Sequence, residues 1–466
     1  MYRRKILSLL AILALATVVP ASDIAVATPP EQASAAAPVP VLPDGKATDS
    51  SRHDPVSLTL GDPTTSEAET RREMEDLAAS LPKGEALYKL WRDRKYVVVN
   101  DPARYDEKTG ESAEPVPVDF DECADTAGDN AFWFRDRFNL CMTQGVQAKQ
   151  MAVVNGVPQQ IGTAYFKATV IATTTPGSHE IRFGLRMRFD RQVGEIDPAG
   201  VMGFRLGCQN ADAARTSTCR AHADDPQLSI GYPIADWKLG LPGPFWFTVA
   251  TTTTAVPTSD KYAAELRGYF SYLFTVWGRS AGLPEDTANL RYELFRCDSA
   301  TYILSSSRCV FHHVISSLQM SASHDTMGES ATFIRDAQNG GPIIAPANPG
   351  KKVPGRYLES ELHRLYSGYD TSKSIKASRR KVHRTCVNYF GSNFAKGPNG
   401  RTMQCDEYPF AATYENSARV NPASVWDYAV RPVEESHNGS AGGRYSAWLR
   451  EDRILDGDPF YVIITP

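Results

Sequence analysis

Beyond its first residues, the 466-residue chain has no stretch approaching the roughly 18 consecutive apolar residues that a membrane-spanning helix needs. It also lacks a lopsided charge. A net charge of −4 exerts no global pull on a polyanion, so a nucleic-acid partner would have to rest on local clusters. Nor is there a C-x-x-C pair among the eight cysteines, which excludes the ligand spacing of zinc ribbons.

What is present begins with an export signal over residues 1–21. Tyr2-Arg3-Arg4-Lys5 is a charged start, Ile6 to Val19 is apolar, and small-residue cleavage points follow at Ala21 or Ala27. The mature protein is therefore expected to be secreted and extracellular, with no membrane span after signal removal. In that compartment the cysteines read as disulfide partners. The simplest pairing is four local loops: Cys123 with Cys141, Cys208 with Cys219, Cys297 with Cys309 and Cys386 with Cys405.

The length suggests several domains. Residues 22–117 are rich in Ala, Pro, Thr, Ser and acidic side chains. They read as a low-complexity linker with a short helix around Ser66 to Ala79. Residues 118–322 read as a β-rich, sandwich-like domain. Tyr165–Ile171 and Ile181–Phe189 show period-2 alternation, and Phe245–Val249 and Cys309–Ile315 are further strand candidates. Trp133, Trp237, Trp246 and Trp277 are expected to pack in its core. His312 and His313, as strand neighbours, would face opposite ways and make a poor chelate. Nothing in this stretch states a role; a cell-wall or matrix polymer is a candidate ligand.

Residues 323–466 have a different texture. Glu329 to Ala337 is helix-like and stops at Gly340-Gly341-Pro342, and Tyr357 to Leu365 is a second short helix candidate. Lys373, Lys376, Arg379, Arg380, Lys381, Arg384, Lys396 and Arg401 then accumulate with only Asp370 opposing them. Such a run suits phosphates, which cations bind without reading sequence. It leads into Gln404-Cys405-Asp406-Glu407-Tyr408-Pro409-Phe410-Ala411. Neighbouring strand residues point to opposite faces, so Asp406 and Glu407 can share a site only near a strand end, which Pro409 supplies. His437-Asn438-Gly439-Ser440-Ala441-Gly442-Gly443 follows. A helix bearing Tyr445, Trp448 and Leu449 on one face comes next, with Glu451 and Asp452 as solvent charges near its end. Last come Arg453 to Asp458 and the strand Phe460–Ile464.

The Cys405–Ala411 block, Asn438 with its glycines and Arg453–Val462 resemble, in order and spacing, the NucA/NucB family of secreted bacterial deoxyribonucleases. Leu362-His363-Arg364 fits the same pattern. The resemblance implies metal-dependent, sequence-nonspecific DNA cleavage on a small α+β core comparable to ββα-metal nucleases. It places Asp406 and Glu407 on the family's acidic dipeptide and Asn438 on its metal-binding asparagine. Two positions depart. His437 stands where an acidic or amide residue is usual, and Gly439 replaces an arginine. Arg444, one helical turn on, is the candidate replacement phosphate contact, with Arg384, Arg401 and His437 as further candidates.

The residue types suit phosphodiester hydrolysis in their own right. That reaction needs an activated water, charge neutralisation at the phosphorus and help for the leaving oxygen. Asp406, Glu407 and Asn438 are oxygen donors for a hard divalent ion, Mg²⁺ or Mn²⁺. One carboxylate would hold the ion or orient water while the other acts as general base, Glu407 being preferred and Asp406 close behind. Competing readings are a DNA- or wall-binding protein with a degenerate nuclease domain and a toxin-like effector nuclease.

Overall fold

A computed structural model describes residues 55–61 and 96–97 as backbone, and residues 116–466 apart from 129, 156, 213–214, 224–228, 258, 281–284, 304–306, 342–343, 348–349 and 422. The expected signal segment and the helix over Ser66 to Ala79 lie outside the described residues.

In chain order the elements open with β1 (Pro55–Gly61), β2 (Tyr96–Val97) and helix α1 (Phe120–Thr126), followed by β3 (Phe132–Asp136), β4 (Asn139–Val154), β5 (Val157–Thr174) and β6 (Glu180–Gly194). Then come β7 (Val201–Asn210), β8 (Thr216–Ala223), β9 (Ser229–Pro233), α2 (Ile234–Leu239) and β10 (Phe245–Ala255). β11 (Gly268–Arg279), β12 (Asp286–Asn289), β13 (Leu294–Asp298), β14 (Arg308–Val310) and β15 (Val314–Ser321) complete the strand-rich middle. The C-terminal part holds α3 (Gly328–Asn339), β16 (Leu362–His363), α4 (Ser374–Phe390), β17 (Met403–Tyr408), β18 (Ala429–Glu434), α5 (Glu435–Glu451) and β19 (Pro459–Thr465).

The middle of the chain is mostly β-sheet. One antiparallel sheet orders its strands β1-β4-β5-β6-β10-β8, and a second orders them β14-β13-β11-β7-β9. Their apolar alternate residues meet in one core. Phe183 of the first sheet packs on Tyr272 of the second with ring centroids 4.6 Å apart, and Phe247 packs on Phe274 at 5.5 Å. Trp237 and Trp277 are buried, and Trp133 and Trp246 lie against a smaller cluster under α1. The alternation Val56-Ser57-Leu58-Thr59-Leu60, inside the stretch read as linker, is strand patterning, and β1 pairs with β4. The run Cys309–Ile315 is not one strand. β14 ends at Val310, a turn carries both buried histidines, and β15 enters a different sheet.

That third sheet, β16-β19-β15-β2, belongs to the C-terminal part: β15 and β19 run parallel, with Leu318 beside Val462. Its core joins Leu318, Phe333, Ile334, Tyr408, Tyr445, Trp448 and Phe460. α3 ends at Gly340, whose φ of 67° is the left-handed cap that glycine adopts without strain. No helix forms over Tyr357–Leu365. Leu358 has a φ of 59°, incompatible with a helical turn, and Leu362 and His363 pair with β19 instead. Asp452 is no solvent charge either. It is buried and accepts the Ser316 hydroxyl, while Glu451 is half-buried.

Residues His53–Pro466 form one compact unit. The loop between α5 and β19 is held by buried side chains from the strand-rich part. Arg137 and Arg296 both donate to Asp458, at 3.0 and 2.8 Å, and Arg453 reaches back to Asp298 at 2.6 Å. Asp456 accepts from the Tyr262 and Tyr414 hydroxyls, both at 2.9 Å.

Candidate active site

β17 and β18 form a two-stranded antiparallel sheet in which Asp406 lies opposite Arg431 and Glu407 opposite Val430. α5 begins directly after β18, so Asn438 falls in its first turn, where its Nδ2 donates to Gln404 Oε1 at 2.9 Å. α4 lies along the other side. The Cys386–Cys405 disulfide joins it to β17, and the Ser378 hydroxyl donates to Glu407 Oε2 at 3.2 Å. All eight cysteines are paired, in the four sequential loops.

Asp406, Glu407 and Asn438 line one cleft of about 680 Å³, together with Arg379, His383 and Gln404. Both carboxylates reach it because β17 ends at Tyr408, just before Pro409, and Asp406 folds back to accept the Glu407 backbone N–H at 2.8 Å. Burial pushes the Asp406 carboxyl up to about 6, with Ser330 and Arg431 opposing the rise. Burial pushes Glu407 up to about 7; the neighbouring Asp406 adds to the rise, while Ser378 and Arg379 oppose it. Asp406 Oδ2 is buried, and apart from the nearby Ser330 hydroxyl, which lies outside good hydrogen-bond geometry, it has no partner. Orphaned carboxylate oxygen beside amide oxygen is a donor set that fits a hard divalent cation.

The other phosphate candidates are placed elsewhere. Arg444 is buried on α5 and does not line the cleft, and Arg384 is exposed on α4 outside it. Arg401 binds the carboxylates of Glu329 and Glu434. His437 accepts the Glu329 backbone N–H at 3.2 Å and lines a separate hollow with Glu329 and Arg431. Glu329, Glu434 and His437 have ligand atoms within 4.8 Å of one another, but Arg401 already bridges both glutamates. Ser378 and His383 carry no motif in the sequence, and Arg379 is there only one cation of a run; the signal that joins Arg379 to His383 is their four-residue spacing on a helix.

A carboxylate pair and an amide facing a cleft that also holds an arginine and an imidazole define a site of the hydrolytic class, equipped for proton transfer beside an anionic substrate. The model of the family Deoxyribonuclease NucA/NucB matches residues 359–463, a segment that contains every one of these cleft residues. The match supports a deoxyribonuclease function in general terms, with DNA as the substrate. No curated protein and no solved structure matches the chain. Among the described residues no helix is long and apolar enough to cross a membrane.

Proposed function

We propose that the protein is a secreted, metal-dependent, sequence-nonspecific endodeoxyribonuclease, and that β17, β18 and α5 form its ββα-metal-like core. The observation that carries this reading is the convergence of Asp406, Glu407 and Asn438 on one cleft within the segment matched by the family. Asp406 and Asn438 would hold Mg²⁺ or Mn²⁺, which when bound supplies charge neutralisation at the phosphate and a more acidic water. Glu407 is the general base: with an affinity near neutrality it can take the proton of the attacking water, and the Ser378 hydroxyl fixes its orientation. Arg379, close enough to act on the charge of Glu407, contributes a fixed positive charge for a non-bridging phosphate oxygen. The four disulfides suit an oxidising, extracellular setting. In the strand-rich part, the cleft lined by Tyr165, Lys167, Arg188 and Arg291 is the place proposed for a wall or matrix ligand.

Plasmid digestion tests the reading. Mature protein should nick supercoiled DNA with Mg²⁺ or Mn²⁺ and not with EDTA, and Glu407→Ala and Asp406→Ala should each lower the rate by roughly 10²-fold or more. Cleavage unchanged in both variants would move the centre elsewhere. Intact plasmid with folded wild type, still shifted on a gel in EDTA, would favour the binding-protein reading that Gly439 and His437 keep in play.

A further inference from the structure

We infer that His383 is the general acid of this site, protonating the oxygen that leaves phosphorus. The inference rests on the nuclease reading above and adds to it the residue that completes the proton transfers.

α4 is clamped to the catalytic strand at two points of its length. Ser378 donates to Glu407, and two turns later Cys386 is bonded to Cys405. Val382, between these anchors, is buried against the same strand, its carbonyl oxygen 3.3 Å from Cys405 Sγ. The helix therefore cannot rotate about its axis without breaking a covalent bond. Arg379 and His383, four residues apart, share the helix edge next to this clamped face, and both line the cleft. The His383 ring packs edge-on against Phe394, which lines the same cleft, with centroids 5.6 Å apart. Its nitrogens have no partner among the described residues. The imidazole thus leans on Phe394 at one edge and is otherwise open to solvent, free to form a hydrogen bond to substrate. His383 is exposed to solvent, whereas the buried His313 and His363 are each bound to a glutamate.

Tyr445 also lines the cleft, but its hydroxyl is turned to the Ala412 carbonyl at 3.3 Å, which leaves His383 as the lining group placed to give a proton to the departing oxygen. Arg379 stays charged and the two carboxyls are engaged as base and metal ligand. In the step proposed, the water oxygen bonds to phosphorus and its proton passes to Glu407. The ester P–O bond breaks with its electron pair on the departing oxygen, and that oxygen takes the proton of the His383 imidazolium. Exchange with solvent then returns one proton to His383 and removes one from Glu407.

A leaving group that needs no proton separates this role from a structural one. Wild type, His383→Gln and Arg379→Gln would be compared on plasmid DNA and on thymidine 5′-(p-nitrophenyl phosphate), with Mg²⁺. For His383→Gln the expected loss is on the order of 10²-fold on DNA and only a few-fold on the nitrophenyl ester. Arg379→Gln should lose on both substrates alike. An equal loss by His383→Gln on both substrates, or no loss on DNA, overturns the assignment. Failure of wild type on both substrates would instead sink the nuclease reading on which it depends.

Discussion

Glu407 sits where its charge is unfavourable, and that has a measurable sign. Its folded value of about 7 lies above the ordinary 4.5, so the protonated form is favoured by folding. The stabilisation it brings is complete below about pH 4.5 and is lost as pH rises through about 7. Glu407→Gln removes that loss. In EDTA, with no cation to relieve the carboxylate, the variant should be more stable than wild type at pH 8, by on the order of 1–2 kcal/mol after allowance for a half-buried site. The difference should vanish at pH 4. Melting curves at the two pH values check this; equal stability at pH 8 would mean that solvent reaches the carboxylate freely. The dipeptide and Asn438 were legible as residues because they sit in short motifs. The partners that tune them were not, since Ser378 and Arg379 approach Glu407 only through the docking of a helix.

At the scale of elements, period-2 strands were the most readable feature, because the two sheets bury one face each. α4 was invisible for the opposite reason. Its buried positions are Ser374, Ser378, Val382, Thr385 and Cys386, a helical stripe of small and polar side chains with almost no apolar contrast against the cationic face. The apolar run ending in Ile315 misled because its turn at Phe311–His313 contains neither glycine nor proline. α5 raises a separate question, the missing arginine at Gly439. A Cβ there would meet nothing within 4 Å beyond its own helix, Gly439 is exposed, and it is not in a positive-φ conformation. Gly439→Arg should therefore be tolerated and stabilise the helix by roughly 0.5–1 kcal/mol. If the position acts as a phosphate contact, KM for DNA should fall several-fold at low salt and the gain should shrink as salt rises. A higher melting temperature with unchanged KM would show that the helix gains stability but the cleft does not use this position.

At the scale of the whole molecule, the charges joining the strand-rich part to the matched segment decide whether the two behave as modules. Such pairs cannot be read from a sequence in which Arg137 and Asp458 lie hundreds of residues apart. Arg137 and Arg296 satisfy Asp458, Asp298 satisfies Arg453, and all five side chains are buried. Burial pushes the Asp458 carboxyl up, but Arg296, Arg137 and Arg267 outweigh it and hold the group well below the usual carboxylate range. Its contribution to stability is therefore present above the ordinary 3.8 and fades only as pH falls through the lower folded value. Separating the parts would leave these ions buried without partners, so they should unfold together. Calorimetry at neutral pH should give one transition spanning both parts. Arg296→Leu should shift it down by the equivalent of about 3–5 kcal/mol, since one partner of a buried pair is then uncompensated. Arg296→Leu with Asp458→Asn should recover part of the loss, because the carboxylate that Arg296 neutralised is gone with it. Two separate transitions in wild type, only one of them moved by Arg296→Leu, would mean that the contacts dock independent modules. In that case a protease could release the C-terminal part as an active fragment. A single transition removes that route, because cleavage between the parts would leave the cleft on a segment that cannot stay folded.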